Sequence, residues 1–183
     1  PGPAKDRREV VLGWIGSAST LPYLDLIREP LKQLGQRFPQ VRLRIIGAER
    51  VAVEGIETAA VAWSLEGEVE DLQDFDIGLM PMPDDPWTRG KGGYKLLQYM
   101  ATGLPVLTSP VGINQQIVED GCQGFWARTE EEWTARLETL VTDEALRGRM
   151  GRAGRQRVEA VYALEVQQVR LGRELQALAG GVE

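Results

Sequence analysis

The 183 residues contain no histidine. That excludes His-based nucleophilic triads and removes the commonest ligand of catalytic zinc. There is a single cysteine, Cys122, so neither an internal disulfide nor a thiolate metal cluster can form. It lies between Gly121 and Gln123 in a turn-like stretch and reads as a bystander. No apolar run is long enough to span a bilayer, and no signal-peptide pattern is present; the expectation is a cytoplasmic chain. Positive charge is in deficit. Lys and Arg number 21 against 27 Asp and Glu, a net charge of −6. The chain as a whole is therefore no nucleic-acid binder, and any anion site must be a local exception.

Short apolar runs alternate with amphipathic ones. After a polar, Pro-rich opening at 1–9, which reads as a linker leaving something upstream, "VVLGWIG" (10–16) has the form of a buried strand. Residues 21–37 read as one helix, with Leu24, Ile27, Leu31 and Leu34 on one face. Strands are expected at 41–47, 58–63, 76–82, 105–109 and 124–127. Between them come an acidic helical turn or two at 66–74, a loop at 84–93, and helices at 94–102 and 113–119. Gly103 is placed to cap the first of these. Thr129 and Glu132 have capping-box spacing and open a helix to about residue 141. Two helices at 144–161 and 163–178 follow with no strand between them. The alternation predicts an α/β, Rossmann-like parallel sheet of about six strands with helices on both faces, over 10–183. Ligands of such sheets bind at the carboxyl ends of the strands, at a topological switch point. Two loops stand there: "GSAST" and "PDDPWTRGKGG".

The second loop opens a helix: "RGKGGYKLLQYMATGLPV" runs from Arg89 to Val106. Glycines let a backbone approach an anion, and a helix start carries unpaired N–H groups. Lys91, Lys95 and Gln98 are spaced i, i+4, i+7, so a helix that includes Lys91 points all three to one side. On residues alone this is either a phosphate site or a flexible loop with solvated charges.

The run from Asp76 through Ala127 resembles the C-terminal half of GT-B glycosyltransferases, most closely the large retaining family four. The donor segment of that family reads Glu-x-Phe-Gly-x-x-x-x-Glu-Ala-Met-Ala-x-Gly-x-Pro-Val. Here Met100, Ala101, Gly103, Pro105 and Val106 match its end, and Gly93 matches the glycine whose backbone approaches the donor phosphates. Ile117 to Gly121 and Gly124 match the downstream part, and residues 146–162 are similar to the Arg-rich helix that follows. The paired glutamates of the family fall at Gly90 and Gln98. Gln98 retains hydrogen-bonding capacity for a ribose; Gly90 replaces the group that touches the donor sugar. The family's basic pair after the first strand is missing as well, which assigns charge neutralisation to Lys91 and Lys95.

The resemblance implies a nucleotide-sugar-binding domain, with a UDP- or GDP-sugar as donor, an unknown acceptor and retention of configuration. It implies no cofactor and no metal. It also implies a partner N-terminal GT-B domain that supplies the acceptor site, through which the protein would touch the inner membrane peripherally, and little transfer by this segment alone. Expected site residues are Lys91 and Lys95 for the leaving diphosphate, and Gly16, Ser17, Trp63, Arg89, Gly90, Gly92, Gly93 and Gln98 around the donor. Trp63 stacks on the base or merely lines the rim. Trp87 closes over the site or packs on the surface. Asn114 belongs to the loop after the 105–109 strand or caps the next helix. Asp84-Asp85 before a proline reads as a turn former rather than a metal pair. The arginines between 147 and 157 read mainly as a solvated face with ion pairs. The rival function is a non-catalytic, regulatory nucleotide-binding module. A sugar-nucleotide epimerase is disfavoured by the missing histidine, and a receiver-type signalling domain by the missing acidic cluster.

Overall fold

The computed structural model describes residues 9–48 and 51–180. The linker expected at 1–9 lies outside the described residues apart from Glu9. Six strands form one parallel sheet: β1 (Val10–Ile15), β2 (Val41–Ile46), β3 (Glu57–Val61), β4 (Ile77–Met80), β5 (Val106–Thr108) and β6 (Gly124–Trp126). Their order is β3-β2-β1-β4-β5-β6. The order reverses between β1 and β4, which is the switch point of a doubly wound sheet. β1 is buried almost throughout, as the continuous apolar run requires of a central parallel strand. β3 is the half-exposed edge, in keeping with its weaker sequence signal.

Alternation along the strands feeds two cores. On one face Leu12, Trp14, Leu43, Ile45 and Leu79 meet Leu31 and Leu34 of α1 (Arg28–Arg37) and Leu137 and Leu140 of α6 (Glu130–Thr142). On the other, Ile15, Ile46, Met80 and Val106 meet Leu72 of α2 (Glu68–Gln73), Leu96 and Met100 of α4 (Tyr94–Ala101), and Ile117 of α5 (Asn114–Ile117).

The structure departs from the sequence reading in four places. The helix expected over 21–37 is a 3₁₀ segment, Leu21–Ile27, followed by α1. Pro30 has no N–H for the carbonyl of Leu26 and its ring would strike it, so one continuous α-helix cannot pass. The loop expected at 84–93 contains a one-turn helix, α3 (Pro86–Arg89). Asp85 accepts from the Thr88 N–H at 2.8 Å and the Thr88 hydroxyl accepts from the Asp85 N–H at 3.1 Å; this is a reciprocal cap. The helix expected over 144–161 is α7 (Glu144–Arg157) plus a π-turn at Val158–Tyr162, before α8 (Leu164–Gly180). Finally, three arginines of α7 bind carbonyls at the ends of other helices. Arg147 donates to Leu140 and Val141 O at 2.7 and 3.0 Å, Arg157 to Gln116 O at 2.6 Å, and Arg155 to Ala101 O. Cations suit helix carboxyl ends, where carbonyls lack intrahelical partners. The Arg155–Glu159 ion pair is the portion that matches a solvated face.

The switch point is held by a side chain. β1 and β4 are in register only at Leu12–Ile77 and Gly13–Gly78. Beyond that pair, the Tyr99 hydroxyl of α4 accepts from the Ile15 N–H at 3.0 Å and donates to Leu79 O at 3.2 Å. The two glycines make room for it. A Cβ at Gly13 would overlap the Phe75 ring, and one at Gly78 the Tyr99 ring. Burial keeps the phenol protonated, pushing its pKa well up, although the Ile15 N–H pulls the other way. α4 then ends as the sequence predicts. Gly103 takes φ +79, its N–H bonds Met100 O, and Leu104 N–H bonds Tyr99 O. Replacing Tyr99 by Phe keeps the ring and leaves two buried backbone groups unpaired. We expect a loss of roughly 1–3 kcal/mol, read as a lower urea midpoint at unchanged slope; an unmoved midpoint would show that the hydroxyl holds nothing.

Candidate functional site

A cavity of about 580 Å³ opens at the carboxyl ends of β1 and β4. Ile15, Gly16 and Ser17 leave β1 into it, and Met80, Pro81 and Met82 leave β4. Gly47 and Trp63 come from the loops after β2 and β3, and Lys91 to Lys95 and Gln98 from the start of α4. The sheet order thus converges loops that are distant in sequence on the switch point.

Lys95 is partly buried. Its ammonium lies 4.5 Å from the centre of the buried Trp14 ring and donates to the Thr20 hydroxyl at 3.3 Å. Burial, helped by the neighbouring charge of Lys91, pushes its pKa down to about 8. Lys91 stands over Tyr23 and Trp87, 5.4 and 5.9 Å from their ring centres. Among the described residues neither lysine has a carboxylate within ion-pair distance. The cavity therefore holds two ammonium groups with no carboxylate paired to either, one of them already penalised by desolvation.

The start of α4 adds to this. Gly93 is its N-cap, at φ +66, and no side chain caps the helix. Gly93, Tyr94 and Lys95 line the cavity, so this helix start is presented to it without a side-chain acceptor, although the Leu96 N–H is taken by Gly93 O at 3.0 Å. Gly93 is also confined: a Cβ there would press on Ile117, Ile113 and Asn114. Gly92 and Gly90 are different. A Cβ at Gly92 meets open space, and Gly90 has φ −83 with only ordinary contacts. Of the three glycines in the loop, only Gly93 is fixed by the fold itself. Gly16 is tight as well, because a Cβ would come 2.7 Å from the Lys95 ammonium.

Eight of the ten residues expected around the donor thus line one cavity: Gly16, Ser17, Trp63, Lys91, Gly92, Gly93, Lys95 and Gln98. Arg89 and Gly90 are not among its lining residues. Arg89 pairs with Asp84 at 2.6 Å on the outside, and Gly90 terminates α3. Lys91 reaches the cavity by another route than the one expected. The helix begins at Tyr94, so Lys91 is placed by the loop and not by the i, i+4 ridge. Ser17 opens the 3₁₀ turn: its carbonyl accepts from Thr20 and Leu21, and its hydroxyl bonds that of Ser19 at 2.9 Å.

Other side chains have structural partners. Asp85 caps α3, and Asp84 is held low in pKa by the hydrogen bond from Arg89. Among the described residues no three His, Cys, Asp or Glu side chains are grouped to hold a metal ion. Asn114 does not cap α5. It is buried and donates to the Thr108 hydroxyl and to Ser109 O, both at 3.1 Å, tying the loop after β5 to its strand. Trp87 is exposed beside Lys91.

Glu68 escaped the sequence reading. This first residue of α2 lines the cavity, accepting from Trp63 Nε1 and from Gln98 Nε2, both at 2.6 Å. It lay in an acidic stretch, where nothing distinguishes it from Glu66 or Glu70. Tyr99 escaped as well; the mid-strand glycines Gly13 and Gly78 were its signal, since glycine inside a strand marks close approach of another group.

Residues 9–143 match the family model for "Glycosyl transferases group 1". Comparison with curated proteins finds no match to the sequence. Several solved structures share the fold. HepE of Anabaena, solved with UDP-glucose, is 15% identical with a TM-score of 0.74, over 92% of this chain and 49% of that one. A variant of S. aureus TarM, in complex with Fondaparinux, alpha-GlcNAc-glycerol and UDP, is 16% identical with a TM-score of 0.71, over 94% and 36%. The C-terminal domain of a glycosyl transferase group 1 family protein (LpcC) from Francisella tularensis is 15% identical with a TM-score of 0.68, over 89% of this chain and 96% of that one. The chain thus spans less than half the length of TarM and HepE. Among the described residues no helix is long and apolar enough to cross a membrane. With the family match over residues 9–143, the six-stranded parallel sheet and these shared folds, the chain belongs to the glycosyl transferases group 1 family and has the fold of a C-terminal GT-B domain.

Proposed function

We propose that this chain binds the nucleoside diphosphate of a nucleotide sugar between β1 and β4, and forms the donor half of a glycosyltransferase. One observation carries the reading: Lys91 and Lys95 share a cavity with an uncapped helix start, with no carboxylate paired to either among the described residues. A diphosphate supplies the partner charge that the two lysines lack and accepts from amides at the helix start. HepE and TarM were solved with UDP-glucose and UDP respectively, which supports the ligand class. The donor is a UDP- or GDP-sugar, and the family resemblance points to retention at the anomeric carbon.

The chemistry asked of this half is leaving-group stabilisation. As the C–O bond between the anomeric carbon and the diphosphate breaks and the acceptor oxygen bonds to that carbon, negative charge grows on the terminal phosphate oxygens of the leaving diphosphate. Lys95, Lys91 and the amides around Gly93 offset that charge from fixed positions, with little reorganisation at the moment of reaction. Lys95 is held by Trp14 and Thr20, and an anion restores the stabilisation that its burial removed. In this reading the lysines do the work that a divalent cation does elsewhere, so neither a metal nor a cofactor is needed. The acceptor and any catalytic base come from an N-terminal GT-B domain, the partner of this half. The regulatory alternative would keep nucleotide binding and lack transfer.

Calorimetric titration with UDP and GDP tests the reading. Saturable binding of one nucleotide is expected, unchanged by EDTA, and at least about tenfold weaker in Lys95→Ala, as for loss of a charge-assisted contact. Failure of both nucleotides to bind would refute it. Undiminished binding in the variant would move the phosphate elsewhere.

The depressed pKa of Lys95 gives a second test. Bound diphosphate favours the ammonium and so raises its pKa above the free value of about 8. Affinity is then level below about pH 8 and falls above it, with proton uptake on binding near pH 8–9. The Lys95 contribution to stability runs the other way. The unfolded lysine titrates at about 10.4, so between the two values the unfolded chain holds more protons and stability rises with pH. Titrations in buffers of different ionisation enthalpy read the uptake; none at pH 8.5 would remove Lys95 from the site.

A further inference from the structure

The lysines leave one part of the cavity unexplained, the Glu68 carboxylate. Trp63 Nε1 and Gln98 Nε2 each donate to it at 2.6 Å, one to each oxygen. Among the described residues no lysine or arginine is paired with it. A carboxylate has about four acceptor positions. Two are used, and the group is fixed by donors from the loop after β3 and from α4, so the remaining two are held in place on the cavity wall.

This arrangement makes the cavity dipolar. Gln98 follows Lys95 by one helical turn, a rise of about 4.5 Å. The cationic end and the acceptor end line one cavity of about 580 Å³, so a single small ligand can touch both. Inorganic phosphate or diphosphate satisfies the first end and is repelled by the second. A ligand that suits both carries an anion and, a few bonds away, a pair of hydrogen-bond donors. The vicinal hydroxyls of a ribose have that form, since two O–H groups on adjacent carbons match the two oxygens of one carboxylate, close behind the 5′-phosphate. The hydrogen-bonding edge of a base lies beyond the sugar, farther from the lysines.

We infer that Glu68 accepts the ribose diol of the bound nucleotide, so that the site selects ribonucleotides against 2′-deoxyribonucleotides. Gln98 and Trp63 are positioning residues: Trp63 gives its one N–H and Gln98 one of its two to the carboxylate. The role expected of Gln98 in contacting ribose passes to Glu68, a residue on a different element. The inference rests on the donor-site reading above and names the group within that site that reads the sugar.

The experiment is a titration of the chain with UDP and 2′-deoxy-UDP, and with GDP and 2′-deoxy-GDP, repeated on Glu68→Gln. The parent is expected to prefer the ribonucleotide by about tenfold or more, the loss attached to one hydrogen bond on a charged group, and the variant to bind both sugars alike. Equal affinities in the parent overturn the assignment, as does a preference that survives in the variant. A guanine preference abolished by Glu68→Gln without ribose discrimination overturns it too, since the carboxylate would then be reading the N–H groups of the base. Should Glu68→Gln fail to fold, Gln98→Ala decides: release of one anchor must reduce the ribose preference, and an unchanged ratio rejects the role. Absence of all nucleotide binding in the parent overturns the donor site itself and this assignment with it, whereas binding without discrimination overturns only the assignment.

Discussion

The Tyr99 hydroxyl does what strand pairing cannot at the centre of this sheet. Where β1 and β4 stop being in register, a phenol on α4 takes the N–H of one strand and the carbonyl of the other. The crevice of a doubly wound sheet exists because its two central strands send their connections to opposite faces. Here the crevice also has a buried, fully satisfied wedge at its base. Because the wedge sits on α4, it fixes the rotation and depth of the helix that bears Lys95 and Gln98. Lys95 precedes Tyr99 by four residues, so the ammonium lies one turn up the same side of the helix. Gly13 and Gly78 are in turn dictated by the two rings that lie on them.

Charge in the cavity is arranged by burial and by withheld partners. Surface charges elsewhere in the chain are routinely paired, as in Arg42 with Glu9 and Glu57, and Arg44 with Asp71 and Asp74. In the cavity the pairing is neutral to cationic or neutral to anionic: Lys95 with a hydroxyl and an indole face, Glu68 with an indole N–H and an amide. Opposite charges coexist on the walls without cancelling each other. Such a site keeps its electrostatic capacity for a ligand, at a cost in desolvation that the surrounding cores must supply.

The fold was legible because a parallel sheet writes itself as apolar runs between amphipathic ones, and all six strands were read from those runs. Caps at Thr129 and Gly103 were legible for the same local reason. Glu132 shows the limit: its carboxylate reaches the Arg128 N–H and not the N-cap's own, a detail set by the incoming chain. What failed was of two kinds. Pro30 and the Asp85–Thr88 cap are local signals outweighed by the broader pattern around them. The roles of Glu68, Tyr99 and the α7 arginines are tertiary. Each depends on a group from another element, Gln98 for Glu68, Ile15 and Leu79 for Tyr99, and the ends of α6, α4 and α5 for the arginines, that local periodicity cannot specify. The candidate site was half legible in the same sense. Lys95 follows from the helical pattern and Gly93 from the family motif, Lys91 reaches the cavity from the loop and not through its spacing, and Arg89 and Gly90, their neighbours in sequence, lie outside the cavity lining at the end of a one-turn helix.

The arginines of α7 have a consequence for where this domain ends. The match to the family model ends at residue 143, just before that helix begins. Yet Arg147, Arg155 and Arg157 reach back to the ends of α6, α4 and α5, and Gly151 lies against the carbonyl of Gly103 so closely that no side chain fits. Three helices that precede the boundary are thus closed by one that follows it. The segment that the family model matches and the segment that forms a finished hydrogen-bonded body are different lengths of chain, and α7 belongs only to the second. Its glycines and arginines act as a clasp, the first giving close approach and the second giving closure. A piece cut at residue 143 would keep the candidate cavity in outline while leaving the helix that carries Lys95 open at its far end.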